Sequence, residues 1–136
     1  MIRTVSRADI ENLKLAAWAS PRKRERIVLH DTTDDPLQQM VIALSKDSYI
    51  RAHRHPKAET YHLIEGLLHV QVFDEHGQWR ARYTLSAEQP VIRIPAGTYH
   101  APEAASEIAV YHEVYPGPWS KERDVEYAVW MAKEAA

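Results

Sequence analysis

The chain contains no cysteine, so it forms neither a disulfide framework nor a thiolate metal site, and any metal it holds must be bound through nitrogen and oxygen. No apolar run approaches the roughly 20 residues of a membrane span, and Met1 to Ser6 lead into a charged, amphipathic stretch rather than a signal peptide. The expectations are a cytoplasmic location and no membrane partner. A dominant charge is also missing. With 17 basic and 19 acidic residues and a formal charge of -2, no global field recruits nucleic acid or an anionic surface. The one basic run, Arg22-Lys23-Arg24-Glu25-Arg26, is broken by an acid and lacks a surrounding RNA-binding motif, which makes it a solvated or pocket-edge cluster. Internal repeats and low-complexity tracts are absent. The partner expected is therefore a small molecule, with no nucleic acid, and the 136 residues suit a single domain over 1–136 with one hydrophobic core.

What is present divides into a helix, a run of strands and a tail. Ser6 with Asp9 three residues later resembles a capping box, Ile10, Leu13 and Ala17 recur at helical spacing, and Pro21 stops the pattern. This predicts a helix over about 6–19. From Arg26 the period shortens to runs rich in Val, Ile, Leu and Tyr between turn residues, the rhythm of an antiparallel sandwich or barrel. Strands are expected near 26–30, 38–44, 48–54, 59–65, 67–73, 79–85, 91–95 and 107–114, a β-barrel of about 26–115. Asp74 to Gly77 reads as a hairpin connection, and Glu65-Gly66 as a tight reversal. After Gly66, Leu68, Val70 and Val72 form an aliphatic face that should be core. Pro116-Gly117-Pro118 ends the last strand. The tail over 116–136, irregular or partly helical and carrying Trp119, Tyr127 and Trp130, is expected to pack over the barrel.

Two segments carry potential metal ligands beside turn residues: His53-Arg-His55-Pro-Lys-Ala-Glu59, and Pro95-Ala-Gly97-Thr-Tyr-His100. Residues two apart on a strand share a face, so His53 and His55 can reach one ion together. Pro56 interrupts the strand and lets the chain bend until Glu59 approaches the same point. Pro95 and Gly97 mark a sharp turn, from which His100 is expected to close the site from the other sheet. Isolated His-x-His pairs are common on exposed strands, but this pair comes with Glu59 at a fixed offset, Gly66 and a downstream Pro-x-Gly-x-x-His. Three imidazoles and one carboxylate suit iron, manganese, nickel or zinc.

Both segments resemble the two motifs of the cupin superfamily, and all four of its ligand positions are present here. The resemblance implies an all-β fold, a double-stranded β-helix or jelly-roll barrel, with one divalent metal inside. Asp47 and Gln89 stand where the cupin pattern has glycine, and Ala104 where many members carry Asn. A closer resemblance covers nearly the whole chain, to the WbuC family of cupin-fold metalloproteins associated with bacterial O-antigen and surface-polysaccharide gene sets. It is carried by Ser20 to Arg24 with Leu29-His30, by Tyr49 to Pro56, and by Glu113 to Trp119.

Several other residues are candidates. Tyr61 shares strand parity with Glu59 and is either a substrate-binding or proton-donating hydroxyl or a core tyrosine. Arg51 shares parity with the histidines and either holds a carboxylate or phosphate at the cavity mouth or forms a surface ion pair. In the last strand both residue sets are plausible core, so the direction of Glu113 is open; facing inward, it would accept a proton from a ligating histidine and orient the ring. The family resemblance suggests that Arg22, Arg24 and His30 rim the pocket, while charge alone reads them as surface. His62, His69 and His76 fall on the opposite strand face or in a turn and read as surface residues.

Three functions fit. In the first the metal serves an enzyme acting on a sugar or organic acid, as a dioxygenase or a sugar isomerase or epimerase, with a place in surface-polysaccharide metabolism implied by the resemblance. The alternative is a metal-dependent module that binds or senses a small ligand without catalysis. The third is a structural metal clip. A homodimer is expected, paired through apolar surface on the helix and the Trp-rich tail.

Overall fold

The computed structural model describes residues 1–135; of the expected tail, Ala136 lies outside the described residues. Helix α1, Arg7–Ala19, begins as the sequence predicts. The Ser6 side chain accepts from the Asp9 backbone N–H at 3.1 Å, and the Asp9 carboxylate accepts from the Ser6 N–H at 2.8 Å, which satisfies two of the helix's otherwise unpaired donors.

Among the described residues ten strands follow: β1 Arg24–Val28, β2 Leu37–Ser45, β3 His53–Arg54, β4 Glu59–Glu65, β5 Leu68–Phe73, β6 Trp79–Leu85, β7 Val91–Ile94, β8 Tyr99–Ala104, β9 Ile108–Pro116 and, after a short helix α2 Lys121–Asp124, β10 Glu126–Tyr127. They form two five-stranded sheets, ordered β1-β2-β9-β4-β7 and β10-β3-β8-β5-β6. Every recorded pairing is antiparallel. This is a jelly-roll barrel, the expected fold class.

The Glu65-Gly66 reversal carries the chain from one sheet to the other, since β4 and β5 do not pair. Gly66 has φ +83°, and a Cβ there would collide with the Ile108 carbonyl oxygen and the Ser106 hydroxyl. No other residue fits without displacing the backbone. Just before it, Glu65 accepts from Lys14 Nζ at 2.6 Å and Arg7 Nη1 at 2.9 Å, tying α1 to the end of β4.

Two of the apolar clusters that result flank the site-bearing strands. Leu44, Tyr61, Leu63, Leu68, Val70 and their neighbours fill part of the barrel interior, and each buried large aliphatic contributes about 1.5–3 kcal/mol relative to exposure. Outside the barrel, Ile10, Leu13 and Ala17 of α1 cover Val41, Ala43 and Val110. That second layer explains why the last strand was unreadable from sequence. Val110 on its outer face is buried beneath α1, while Ala109 and Tyr111 on its inner face belong to the barrel core, so both faces are apolar and periodicity gives no direction.

Two strand expectations change. The strand near 48–54 shrinks to β3, because 48–52 run without ladder partners. The strand β8, absent from the expectations, carries His100; its Pro102 and alanines hide the period. Proline is tolerated there because β3 pairs with β8 only at His53 opposite His100, which leaves the rest of that side of β8 without a ladder. The tail packs on the barrel: β10 adds to β3, the Ala128 N–H donates to the Ala52 carbonyl at 2.8 Å, and the Trp130 ring packs at a tilt against Phe73, 4.8 Å between centroids. The apolar surfaces expected to pair two copies, the helix stripe and Trp130, are thus covered within the chain. Among the described residues no helix is long and apolar enough to cross a membrane.

Candidate metal centre

His53 on β3 lies directly opposite His100 on β8 in one sheet, and their rings sit 4.6 Å apart. His55 follows just past β3, 5.0 and 5.4 Å from the other two rings. Glu59, the first residue of β4, reaches in from the opposite sheet. The sequence expectation had His100 crossing; the structure reverses this, because β8 neighbours β3 and it is Glu59 that crosses. Gly97, at φ +78°, donates its N–H to the His55 carbonyl at 2.8 Å. The turn before His100 is thereby tied to the segment carrying His55.

Each of the four side chains offers one ligand atom, and these atoms lie within 4.8 Å of one another. Donors about 2.1 Å from a shared ion stand at most about 4.2 Å apart, so the widest pair needs only a small side-chain rotation to close on it. The tautomers agree with that use. The Nδ1 atoms of His53, His55 and His100 lie 2.9, 2.7 and 2.8 Å from the backbone carbonyls of Arg51, Asp124 and Thr98. A carbonyl only accepts, so each Nδ1 carries the proton and each Nε2 presents a lone pair.

Two of those lone pairs have no partner. Nε2 of His55 and of His100 are buried without a hydrogen bond, although Glu59 Oε1 lies 3.4 and 2.6 Å away. Acceptors facing one another in a dry site repel, and a cation between them removes the conflict. The electrostatics follow from the same crowding. Burial opposes ionisation of Glu59, but a positive charge placed at His100 and His55, whether a proton or a cation, outweighs it and holds the carboxyl well below the usual range. Burial, reinforced by the nearby His100, pushes His53 down to about 3. Burial also acts to lower His55, but Glu59 outweighs it and the net shift is upward.

The cluster opens into a cavity of about 760 Å³. Tyr61 lines it while also belonging to the core, packed 5.0 Å from Tyr111; its hydroxyl donates to Glu59 Oε1 at 2.9 Å. Burial and the Glu59 charge raise its pKa well above the ordinary value. Glu113 pairs in register with Tyr61 and faces inward to line the cavity. Burial and the Glu59 charge push its carboxyl up to about 8. It makes no hydrogen bond to a histidine among the described residues; backbone carbonyls orient all three rings instead. The role of ring orienter expected for Glu113 is corrected accordingly.

Arg51 lines the cavity, with Nε donating to the Ala128 carbonyl at 2.8 Å and its guanidinium 5.4 Å from the centre of the Tyr127 ring. Arg22 and Arg24 are also at the wall, while His30 lines a smaller adjacent cavity of about 90 Å³. His62 and His76 are exposed, and His69 is half-buried with Nδ1 2.9 Å from Thr84 Oγ1. Sequence reasoning missed Trp119 and Glu134 at the wall. Both come from the tail, where no periodicity points to them.

Over residues 5–85 the sequence matches the family described as Domain of unknown function (DUF6016). The chain belongs to this family. The span matched to DUF6016 holds α1, His53, His55 and Glu59; His100 lies beyond it. No curated protein is similar enough to count as a relative. Among solved structures, the chain resembles a conserved protein of unknown function from Streptococcus pyogenes, at 23% identity and a TM-score of 0.57, covering 74% of this chain and 80% of that one. A cupin superfamily protein from Desulfitobacterium hafniense matches at 13% identity and a TM-score of 0.56, covering 68% and 76%. Oxalate decarboxylase of Bacillus subtilis matches at 21% and 0.56, over 69% of this chain but only 24% of the enzyme; another structure of it concerns its Mn(II) centres. These likenesses show that this chain has the fold of a cupin.

Proposed function

We propose that the protein is a divalent-metal cupin that acts on a small sugar or organic acid in its cavity. One observation carries the reading: the buried, unpartnered Nε2 atoms of His55 and His100 converge with the Glu59 carboxylate beside a cavity, walled in part by His53 and His55, that is large enough for such a molecule. His53, His55, Glu59 and His100 would hold iron, manganese, nickel or zinc. The bound ion would supply Lewis acidity toward a carbonyl or hydroxyl of the ligand. Tyr61 orients Glu59 through its hydroxyl, Arg51 holds an acidic group, and Glu113 is the carboxyl placed to carry a proton at the cavity wall.

A place in the WbuC family, and with it a role in surface-polysaccharide metabolism, is part of the proposal. Its support is that Ser20 to Arg24, Tyr49 to Pro56 and Glu113 to Trp119, distant in sequence, all contribute cavity-lining residues. A homodimer is proposed as well, on the exposed Trp79, Tyr83 and Val91 at sheet edges; sedimentation velocity tests it, and a monomer at tens of micromolar would refute it.

Elemental analysis of protein purified without added metal should find about one divalent ion per chain, and His100→Ala should remove it. An unchanged metal content in that variant would refute the assignment. Oxygen-uptake and sugar-turnover assays on the loaded protein then separate dioxygenase from isomerase or epimerase. Saturable binding without turnover of any bound ligand would replace the enzyme by a binding module.

A further inference from the structure

Glu134 is held by two arginines at the cavity wall. Its carboxylate accepts from Arg22 Nε at 3.2 Å and Nη2 at 2.6 Å, and from Arg24 Nη1 at 2.9 Å and Nη2 at 2.7 Å. Paired, fork-shaped donors around a planar carboxylate are the arrangement by which proteins recognise acids. All three residues line the cavity that also reaches His53 and His55. From the geometry we infer that Arg22 and Arg24 form a carboxylate-binding subsite at the mouth of the metal cavity, occupied by the chain's own Glu134 until a small carboxylic acid displaces it. The inference deepens the proposed function and rests on its reading of the cavity as a ligand site.

The clamp is built independently of its occupant. Arg24 Nη1 also donates to Ser48 Oγ at 3.1 Å and to the Tyr49 carbonyl at 3.2 Å, so its guanidinium keeps acceptors when Glu134 leaves. The Ser48 hydroxyl donates in turn to the Arg22 carbonyl at 2.7 Å. Between the two arginines, Lys23 adopts φ +58°, a left-handed conformation that costs a non-glycine residue. It persists because its backbone N–H bonds the Ser20 carbonyl, its own carbonyl accepts from Ser45, and its Nζ reaches the Trp18 carbonyl. A strained, over-determined backbone thus places both arginines.

The occupant is the more weakly held partner. The tail is fixed as far as Ala132, whose carbonyl accepts from the Tyr49 hydroxyl at 2.6 Å. Beyond that, among the described residues, the clamp itself is the polar tether. The Glu134 side chain is 21% exposed and Arg24 20%, while Arg22 is 62% exposed, so solvent and a competing acid reach the pair. Among the described residues beyond Ala132, moving Glu134 aside breaks no polar contact except the clamp's own hydrogen bonds. Around the clamp Arg26, Arg51 and Lys121 line the same cavity with no ion-pair partner among the described residues. With Glu134 displaced the mouth becomes more positive, which favours an incoming anion. A sugar acid fits both features: its carboxylate on the arginines, its hydroxyls toward the histidine cluster.

The test uses the metal-loaded full chain and calorimetric titration with D-glucuronate, citrate, inorganic phosphate and, as the neutral control, D-glucose. Removing an internal competitor raises the fraction of open sites, so Glu134→Gln should bind at least one of the two carboxylates about tenfold or more tightly than the parent. Adding Arg24→Gln should abolish the gain; Arg22→Gln, on a more exposed side chain, serves if that variant does not fold. In the parent, the Glu134 carboxyl carbon signal should shift toward its solvent-exposed value as the same carboxylate is added. No gain for either carboxylate, or an equal gain for phosphate, overturns the inference. Metal content of the same samples is read separately. A gain without metal sinks the proposed metal function and leaves the subsite standing, whereas metal without a gain does the reverse.

Discussion

The same strands build two contrasting halves of the barrel interior. On β9, Ala109 and Tyr111 belong to the packed core, while Glu113 and Tyr115 line cavity. On β4, Leu63 is core and Glu59 joins the histidine cluster, with Tyr61 between them touching both. On β2, Leu44 is core and Ile42 and Met40 face the cavity. The packed half gains from every apolar contact. The hollow half does the opposite: it buries lone pairs and carboxyls whose ordinary ionisation burial disfavours. A protein keeps such a region because the rest of the fold over-determines it. The difference teaches that stability and site chemistry are divided along single strands rather than between separate elements.

The sharpest way to break this division is His100→Ala. Metal content should fall from about one ion per chain to near zero, a larger loss than the roughly 10–100-fold typical of residues that only support a ligand. The metal-free melting temperature should change little or rise, since an unpartnered buried nitrogen is removed. A collapse of metal-free stability would show that the two halves are not separable. Leu68→Ala probes the packed half and should cost about 2–5 kcal/mol in denaturant unfolding, with metal stoichiometry unchanged. Loss of metal in that variant would erase the distinction from the other side.

Tyr61→Phe tests the border. Deleting the hydroxyl that donates to Glu59 should weaken metal affinity by about tenfold and leave the aromatic packing intact, so the thermal shift of the metal-free protein should be small. The smallest effect concerns the clamp. Arg24 and Arg22 hold Glu134 down at about 2, below the usual carboxylate value. Its folded pKa is depressed, so the tether is fully present above the unfolded value of about 4.3 and is lost as pH falls toward about 2. The Glu134 carboxyl carbon signal, followed by NMR, should therefore titrate within that window, with a stability change under about 1 kcal/mol because the pair is partly exposed. A midpoint at the ordinary carboxylate value would show that something other than the arginines holds the tail.

Much of the candidate cluster was legible because its members come as short-range patterns. His53, His55 and Glu59 sit within seven positions, and Gly97 precedes His100 by three; local backbone rules relate such residues directly. The aliphatic face of Leu68 and Val70 was readable for the same reason. The sheet partner of His100 was not, because Pro102 and the flanking alanines give β8 no alternating period. Glu113 had no readable direction because α1 makes the outer face of its strand apolar as well. The clamp was beyond reach altogether, joining Arg24 to a residue 110 positions away.

By itself, then, the sequence determined the class of fold, the helix and its cap, and the four side chains able to meet at one point, since each depends on residue type and short-range periodicity. Tertiary structure alone decided that Glu59 rather than His100 crosses between sheets, that backbone carbonyls orient the imidazoles, that Glu113 points inward, and that a glutamate from the tail occupies an arginine clamp. Those are outcomes of strand order and long-range closure, where the relevant partners are set by which sheet edges meet in space and not by distance along the chain.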